Sequence, residues 1–352
     1  MPPNELKGLS RPQSDALRLG CVVLMTLGHL KFTDPVLASA LTGFELEQVL
    51  PWTKALGRIA APLLGFSSGL LLAFAVQRTR PTQLLWRRAR TLLGAFIVWN
   101  GAMTLLMAAA GAFGFGSSGN PFALSAVLGI YAMPNNLPLH YLIDLFQCVS
   151  VAVCTFHLFR RRLPLMGIVA ILGVFCAFDA AARGGETWWP RPDLVLFFSL
   201  GFLLGFRCQW LLRCLAEVRG RPFLIGGVSA LLFVTTVYLS DGRLPIILLQ
   251  RLSGAILALA IVARVDVPEG LIDQRLAFRL FCSHWVVFAV VGKILPIEAH
   301  PSALWGLAEF GAAISFATGS LEVQDIGLLY IAGRDPFKRV TGAFRRVGKR
   351  PA

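Results

Sequence analysis

Residues 59–90 read IAAPLLGFSSGLLLAFAVQRTRPTQLLWRRAR. No charge falls between Ile59 and Val76, and then Arg78, Arg80, Arg87, Arg88 and Arg90 arrive together. A run of that length crosses roughly 30 Å of hydrocarbon as a helix. An open sheet is disfavoured, because its edge in lipid leaves backbone groups unpaired. An apolar span closed by a basic cluster is the signature of a membrane helix that ends on the cytoplasmic side.

The rest of the chain repeats this unit. Of its 352 residues, 56% are hydrophobic and only 15% charged, against roughly 25% charged in soluble domains. Mean hydropathy is +0.67. Ten apolar segments are predicted, at 15–33, 57–77, 91–113, 137–159, 164–182, 193–212, 223–240, 244–263, 278–298 and 302–320. The expected fold is all-α, a polytopic bundle of about ten transmembrane helices. The domain reading is a cytoplasmic N-terminal segment 1–14, a membrane domain 15–320 and a basic cytoplasmic tail 321–352. No internal repeat or low-complexity segment interrupts it.

The net charge of +14 could suggest nucleic acid, but its distribution does not. Basic clusters follow the second segment, the fourth (Arg160, Arg161, Arg162) and the sixth (Arg207, Arg213, Arg219, Arg221). They follow the eighth (Arg264, Arg275, Arg279) and the tenth (from Arg334 to Arg350) as well. The intervening loops carry scattered charges only, such as Lys54, Arg183, Arg191 and Arg243. A nucleic-acid surface has no reason to alternate with apolar spans. Ten spans with both termini in the cytoplasm satisfy every cluster. The expected location is therefore a cell membrane, the inner membrane of a bacterium, with the lipid bilayer as the first partner.

The N-terminal segment is expected to be retained as the first span. Asp15 and Arg18 sit at the edge of its apolar core, and Ala38-Ser39-Ala40 lies too far downstream for signal cleavage. The seven cysteines form no C-x-x-C and read as small buried hydrophobes. No metal site, P-loop, dinucleotide fingerprint or Gly-x-Ser-x-Gly is present.

Polar residues inside spans are the candidates for chemistry. Arg18 and His29 are eleven positions apart in the first segment. On a regular helix that returns to within about 20° of the same face, about 16 Å further along. Arg18 would lie near the inner surface and can hold an anion, or it pairs with Asp15 one turn earlier. His29, deeper, can accept a proton near neutral pH, or it is a hydrogen-bonded packing residue. Arg87 and Arg90, at i and i+3 near the start of the third span, suit a multivalent phosphate or simply supply positive-inside charge. Gly65-Phe66-Ser67-Ser68-Gly69 allows close helix approach or room for a thin ligand. His140 and Asp144, at i and i+4 on the fourth span, form a second base with its orienter or a self-satisfied pair. His284 could line an acceptor side, and Glu309 could pair with Arg251.

These residues resemble the membrane acyltransferase-3 family. Asp15-Ala16-Leu17-Arg18 followed by His29 is similar to its opening Arg-x10-His. Ser68-Gly69 resembles its Ser-Gly-Phe signature, with Leu70 in place of Phe. Arg87-x-x-Arg90 resembles its R-x-x-R element. Phe281-Cys282-Ser283-His284-Trp285 resembles a late segment that usually ends in Leu-His. The sequence departs from the pattern at Pro62-Leu63-Leu64, where a Phe-rich run is usual, and no hydrolase-like domain is expected after the tenth span.

The resemblance implies transfer of an acyl group, commonly acetyl, from cytoplasmic acyl-CoA to a hydroxyl of an exported or cell-surface glycan, or of a lipid-linked saccharide. It implies that Arg87, Arg90 and Arg18 hold the donor's phosphates. The pantetheine arm passes Ser68-Gly69 toward His29. His29 acts as the base or carries the acyl group itself. Two rival functions are compatible with the same sequence: a transporter or flippase of a polar or lipid-linked substrate, and an acylase of an exported peptide terminus.

Overall fold

The computed structural model describes residues 11–30, 50–112, 122–123, 127–128, 135–158, 192–206, 221–239, 244–268, 272, 275–294 and 303–319. All regular structure among them is helical. The elements are α1 (Arg11–Gly28), α2 (Leu50–Arg78), α3 (Pro81–Arg88), a π-helical turn (Ala89–Leu93) and α4 (Gly94–Ala112). A 3-10 turn (Leu137–Leu139) leads into α5 (His140–Leu158). Then come α6 (Pro192–Phe206), α7 (Pro222–Tyr238), α8 (Leu244–Arg264), α9 (Leu276–Ile294) and α10 (Ala303–Gly319). The expected fifth span, 164–182, and the basic tail lie outside the described residues.

Four stretches are long and apolar enough to cross a membrane: Ala55–Arg78, Pro81–Gly111, Leu137–His157 and Ile246–Arg264. Asp193–Phe206, Phe223–Tyr238 and Leu276–Val291 are shorter apolar helices. Phe223, Leu231, Ile97 and Leu105 point outward and are largely exposed, as expected of side chains that meet lipid rather than water.

α2 is the centre of the bundle, packing most extensively on α6 and then on α1, with α8 and α5 on further sides. The α2–α6 contact is built from two glycine pairs. Gly65 and Gly69 of α2 lie against Leu194, Phe198 and Phe202 of α6, and Gly201 and Gly205 of α6 against Phe66, Leu70 and Ala73 of α2. A Cβ at Gly69 would collide with the carbonyl oxygen of Phe198, and one at Gly201 with that of Phe66. Lipid gives helices little hydrophobic reason to associate, so association relies on close backbone approach and van der Waals contact. The Gly65–Gly69 stretch is therefore a packing face. Ser67 turns its hydroxyl back to the carbonyl of Leu64 at 3.0 Å, and Ser68 is half-buried.

The ends of the helices sort into two groups. At one end, the Gln13 amide donates to the carbonyl of Val265 at 3.2 Å, just past α8. Arg264 lies 4.9 Å over the ring of Phe223 at the start of α7. Toward the other end, Trp52 near the start of α2 meets Tyr238 at the end of α7, centroids 6.0 Å apart. The N-termini of α1 and α7 thus share an end with the C-terminus of α8.

Two expected boundaries shift. The first helix begins at Arg11 and closes at Gly28, so His29 follows the helix instead of lying inside it. The amides of His29 and Leu30 reach back three residues, to Thr26 at 3.1 Å and Leu27 at 3.3 Å. Such i to i+3 bonds commonly tighten the last turn of a helix. The third span begins earlier than expected, because Pro81 occupies the first helical turn, where its missing N–H costs nothing. Arg87 therefore lies in the last turn of α3 and Arg90 inside the π turn.

Candidate functional site

The arginine end is organised by α1 and α3. Arg18 Nη1 donates to Asp15 Oδ1 at 3.4 Å, one turn earlier, and the arginine remains partly exposed. Such a pair in a wet setting is weak and leaves the guanidinium available. Arg88, half-buried, is within electrostatic reach of Arg18. Arg87 and Arg90 are exposed, and Arg90 stacks over the Trp86 ring at 4.5 Å. The π turn changes the register between Arg87 and Arg90 from the ideal i, i+3 relation. Thr91 Oγ1 donates to the carbonyls of Arg87 and Arg88 at 3.0 and 3.2 Å, which helps satisfy that irregular stretch. The sequence reading treated Arg88 only as topological charge. Nothing in one-dimensional spacing marks it out, because the separation of Arg88 from Arg18 is set by the tertiary fold.

The histidine centre is organised by α1 and α9. His29, carried on the closing turn of α1, lies against His284 with ring centroids 5.6 Å apart and planes 26° apart. The Trp285 ring stands edge-on to His29 at 5.8 Å. His284 is fully buried. Phe281 and Phe288 flank it at 6.4 and 5.6 Å. Two of the histidines singled out from sequence, 255 positions apart, thus share one aromatic enclosure.

α5 approaches the same stretch of α9. Tyr141 stands T-shaped on Phe281 at 5.7 Å. Beside it His140 Nδ1 and Asp144 Oδ2 lie 3.6 Å apart, both buried. Glu309 is fully buried on α10, which packs on α9. Arg251 forms an ion pair with Asp193 of α6, at 2.7 Å, a partner that the sequence reading did not name. Charge type was readable along the chain, but an ion pair between Arg251 and Asp193 depends on which helices are neighbours.

An asparagine network went unnoticed in the sequence. The Asn136 amide nitrogen Nδ2 donates to the carbonyl of Cys282 at 3.3 Å, and its backbone N–H donates to Asn100 Oδ1 at 2.8 Å. Asn100 Nδ2 donates to the carbonyl of Val127 at 2.7 Å, and Asn135 Nδ2 to Thr104 Oγ1 at 2.7 Å. Asn100 and Asn136 are fully buried. The network ties α4 and the turn before α5 to α9, two residues before His284. A lone Asn100 in an apolar span was the available signal.

Of the expected residues, His29 and His284 are brought together, and Arg18 pairs with Asp15. Ser68 lies on the α2 packing stretch. Among the described residues no cluster of three His, Cys, Asp or Glu side chains could hold a metal ion. Cys21, Cys148 and Cys282 are buried free thiols, and Cys154 is exposed.

A helical bundle with apolar outward faces, an arginine end and a buried histidine centre defines a membrane protein with a polar site inside it. The acyltransferase-3 family model, described as an acyltransferase domain, matches residues 11–321. The chain belongs to that family and is a membrane acyltransferase. No curated protein and no solved structure matches it.

Proposed function

We propose that this protein moves an acyl group, acetyl in the simplest case, from cytoplasmic acyl-CoA to a hydroxyl of an exported or cell-surface glycan. The observation that carries the reading is the placing of two polar residues along α1: Arg18, partly exposed beside Asp15, and His29, which lies against His284 and Trp285 of α9. Guanidiniums suit the donor's phosphates. We assign Arg18, Arg87 and Arg90 to that role, with Arg88 beside them. The separation along α1, about 16 Å for eleven helical residues, suits a long flexible thioester arm running from a charged end to a reactive one.

His29 is the base in this reading. The acceptor oxygen attacks the thioester carbon, its proton passes to His29, and the carbon–sulfur bond breaks. The thiolate then takes the proton from His29. Transient acylation of His29 is the two-step version of the same chemistry. Trp285 and the α9 wall, including His284, back the acceptor side. His140, Asp144 and Glu309 support this polar interior, and Ser68 lies along the donor's path. The basic clusters support ten spans with both termini in the cytoplasm of a bacterial inner membrane.

The decisive experiment supplies radiolabelled acetyl-CoA to purified protein in lipid nanodiscs. Labelled acetate or an acetylated glycoside is expected. No turnover with acetyl-CoA, together with substrate flux in sealed vesicles, favours a transporter. Acetylation of a peptide terminus and not of glycosides favours a peptide acylase.

A further inference from the structure

α3 is seated on the bundle by Leu84, which is buried, and by Leu85, which packs against the core. Thr82, Gln83, Trp86, Arg87 and, on the π turn, Arg90 are exposed. Trp86 stands out among them. Its indole is 59% exposed, and the two leucines already anchor the helix without it. The Arg90 guanidinium carbon lies over the ring, 4.5 Å from its centre. That contact holds the ring in place while much of its surface stays open. A guanidinium over a ring can keep N–H groups at its rim, where they meet an anion. An open aromatic surface therefore stands beside the guanidiniums of Arg87 and Arg90, at the end of the bundle where Arg88 comes within electrostatic reach of Arg18.

Such a surface suits a nucleotide. A flat base and its phosphates are joined through one ribose, so whatever holds the phosphates brings the base close by. Acyl-CoA is built this way: a long arm carries the thioester, and the far end is an adenine whose ribose bears the phosphates. Stacking of a base on an aromatic side chain is a substantial source of affinity, because every base has a flat π-face. We propose that Trp86 receives the adenine of the acyl donor: the base stacks on the open part of the indole while Arg87 and Arg90 engage the phosphates. Trp86 thereby sets donor preference. It favours a thioester that bears the nucleotide over one carried on the phosphopantetheine arm alone. It takes no part in the bond changes, which occur at the other end of the arm. The inference rests on the reading of Arg87 and Arg90 as the donor's phosphate site.

The test uses full-length protein in nanodiscs and two donors: acetyl-CoA, and acetyl-phosphopantetheine, which keeps the thioester arm but lacks the adenine nucleotide. The Kd of each is measured by competition with labelled acetyl-CoA. Trp86→Leu keeps an apolar, helix-favouring side chain and removes the ring. It is expected to weaken acetyl-CoA binding about tenfold, the loss of one base–aromatic stack, and to leave acetyl-phosphopantetheine unchanged. Trp86→Phe restores a ring and should recover most of the loss. Phe223→Leu is the control. It removes another exposed ring with an arginine over it, at the same end of the bundle but on α7, and should leave both donors unchanged. An aromatic anchor at the membrane surface gives a different pattern, with Leu and Phe equivalent at position 86, or both donors weakened together. Either result overturns the inference, as does a Phe223→Leu effect equal to that of Trp86→Leu, or a wild type without preference for acetyl-CoA. If the wild type binds no acetyl-CoA, or Arg87→Gln and Arg90→Gln both leave its affinity unchanged, the underlying phosphate site falls and the inference falls with it.

Discussion

Arg251 of α8 holds Asp193 at the start of α6, Nη1 to Oδ2 at 2.7 Å, with both side chains mostly buried. Each charge makes the other tolerable in an apolar setting. Removing one partner takes this interaction from a mostly buried charge. Arg251→Leu or Asp193→Leu is expected to destabilise the protein by up to about 3 kcal/mol, because some solvent reaches the pair. The double replacement should cost less than the two single effects added together. Thermal melts of the four proteins in one detergent measure this, and strict additivity would show that the pair is not coupled.

The α2–α6 seam should be intolerant of even one added carbon. Gly69→Ala and Gly201→Ala each push a methyl group into a backbone carbonyl of the facing helix. Overpacking of this kind costs about 1–3 kcal/mol. Gly101 has open space where its Cβ would stand, so Gly101→Ala serves as the control and should be neutral or slightly stabilising. Melting temperatures that fall equally in all three variants would contradict the glycine seam.

His29→Ala is expected to abolish acyl transfer while leaving expression and melting temperature close to wild type. The residue follows the end of α1 and is partly exposed, so its loss leaves no large cavity. A well-expressed variant that keeps more than a small share of wild-type turnover would remove His29 as the base.

The donor end separates two groups of arginines. Arg88, within electrostatic reach of Arg18, and the exposed Arg87 and Arg90 can each be replaced by Gln. Loss of a charge-assisted contact should weaken acetyl-CoA binding by roughly 1.5–3 kcal/mol, less where water enters. Lys should restore only part of it, because it lacks the planar fork. Acceptor KM should change little. Isothermal titration with acetyl-CoA reads the donor term directly. Unchanged affinity in all three variants would mean that this end serves topology alone.

Single cysteines introduced at Gly119, Gly185 and Gly242 should react with an impermeant reagent from outside, and one at Gly348 only after the membrane is opened. These positions lie outside the described residues, so labelling tests the span count independently. Labelling of position 348 in intact cells would break the ten-span scheme.

What the sequence determined by itself was the medium and the one-dimensional order of the chain. Lipid imposes a strong local rule: a span must be helical, apolar and about as long as the bilayer is thick. Ile59–Val76 obeys it without knowledge of any neighbour. Candidate chemistry was legible for the same reason, since a His29 or a Glu309 in an apolar run stands out. Helix ends were less so, because Gly28 and Pro81 act through local backbone geometry. Only the tertiary structure decided partnership. It paired Arg251 with Asp193, set the glycines of α2 against the backbone of α6 and those of α6 against α2, and brought His284 to His29. Those choices depend on which helix faces lie together and at what height. Many chain arrangements share the same apolar pattern, and contacts between residues far apart in sequence distinguish them.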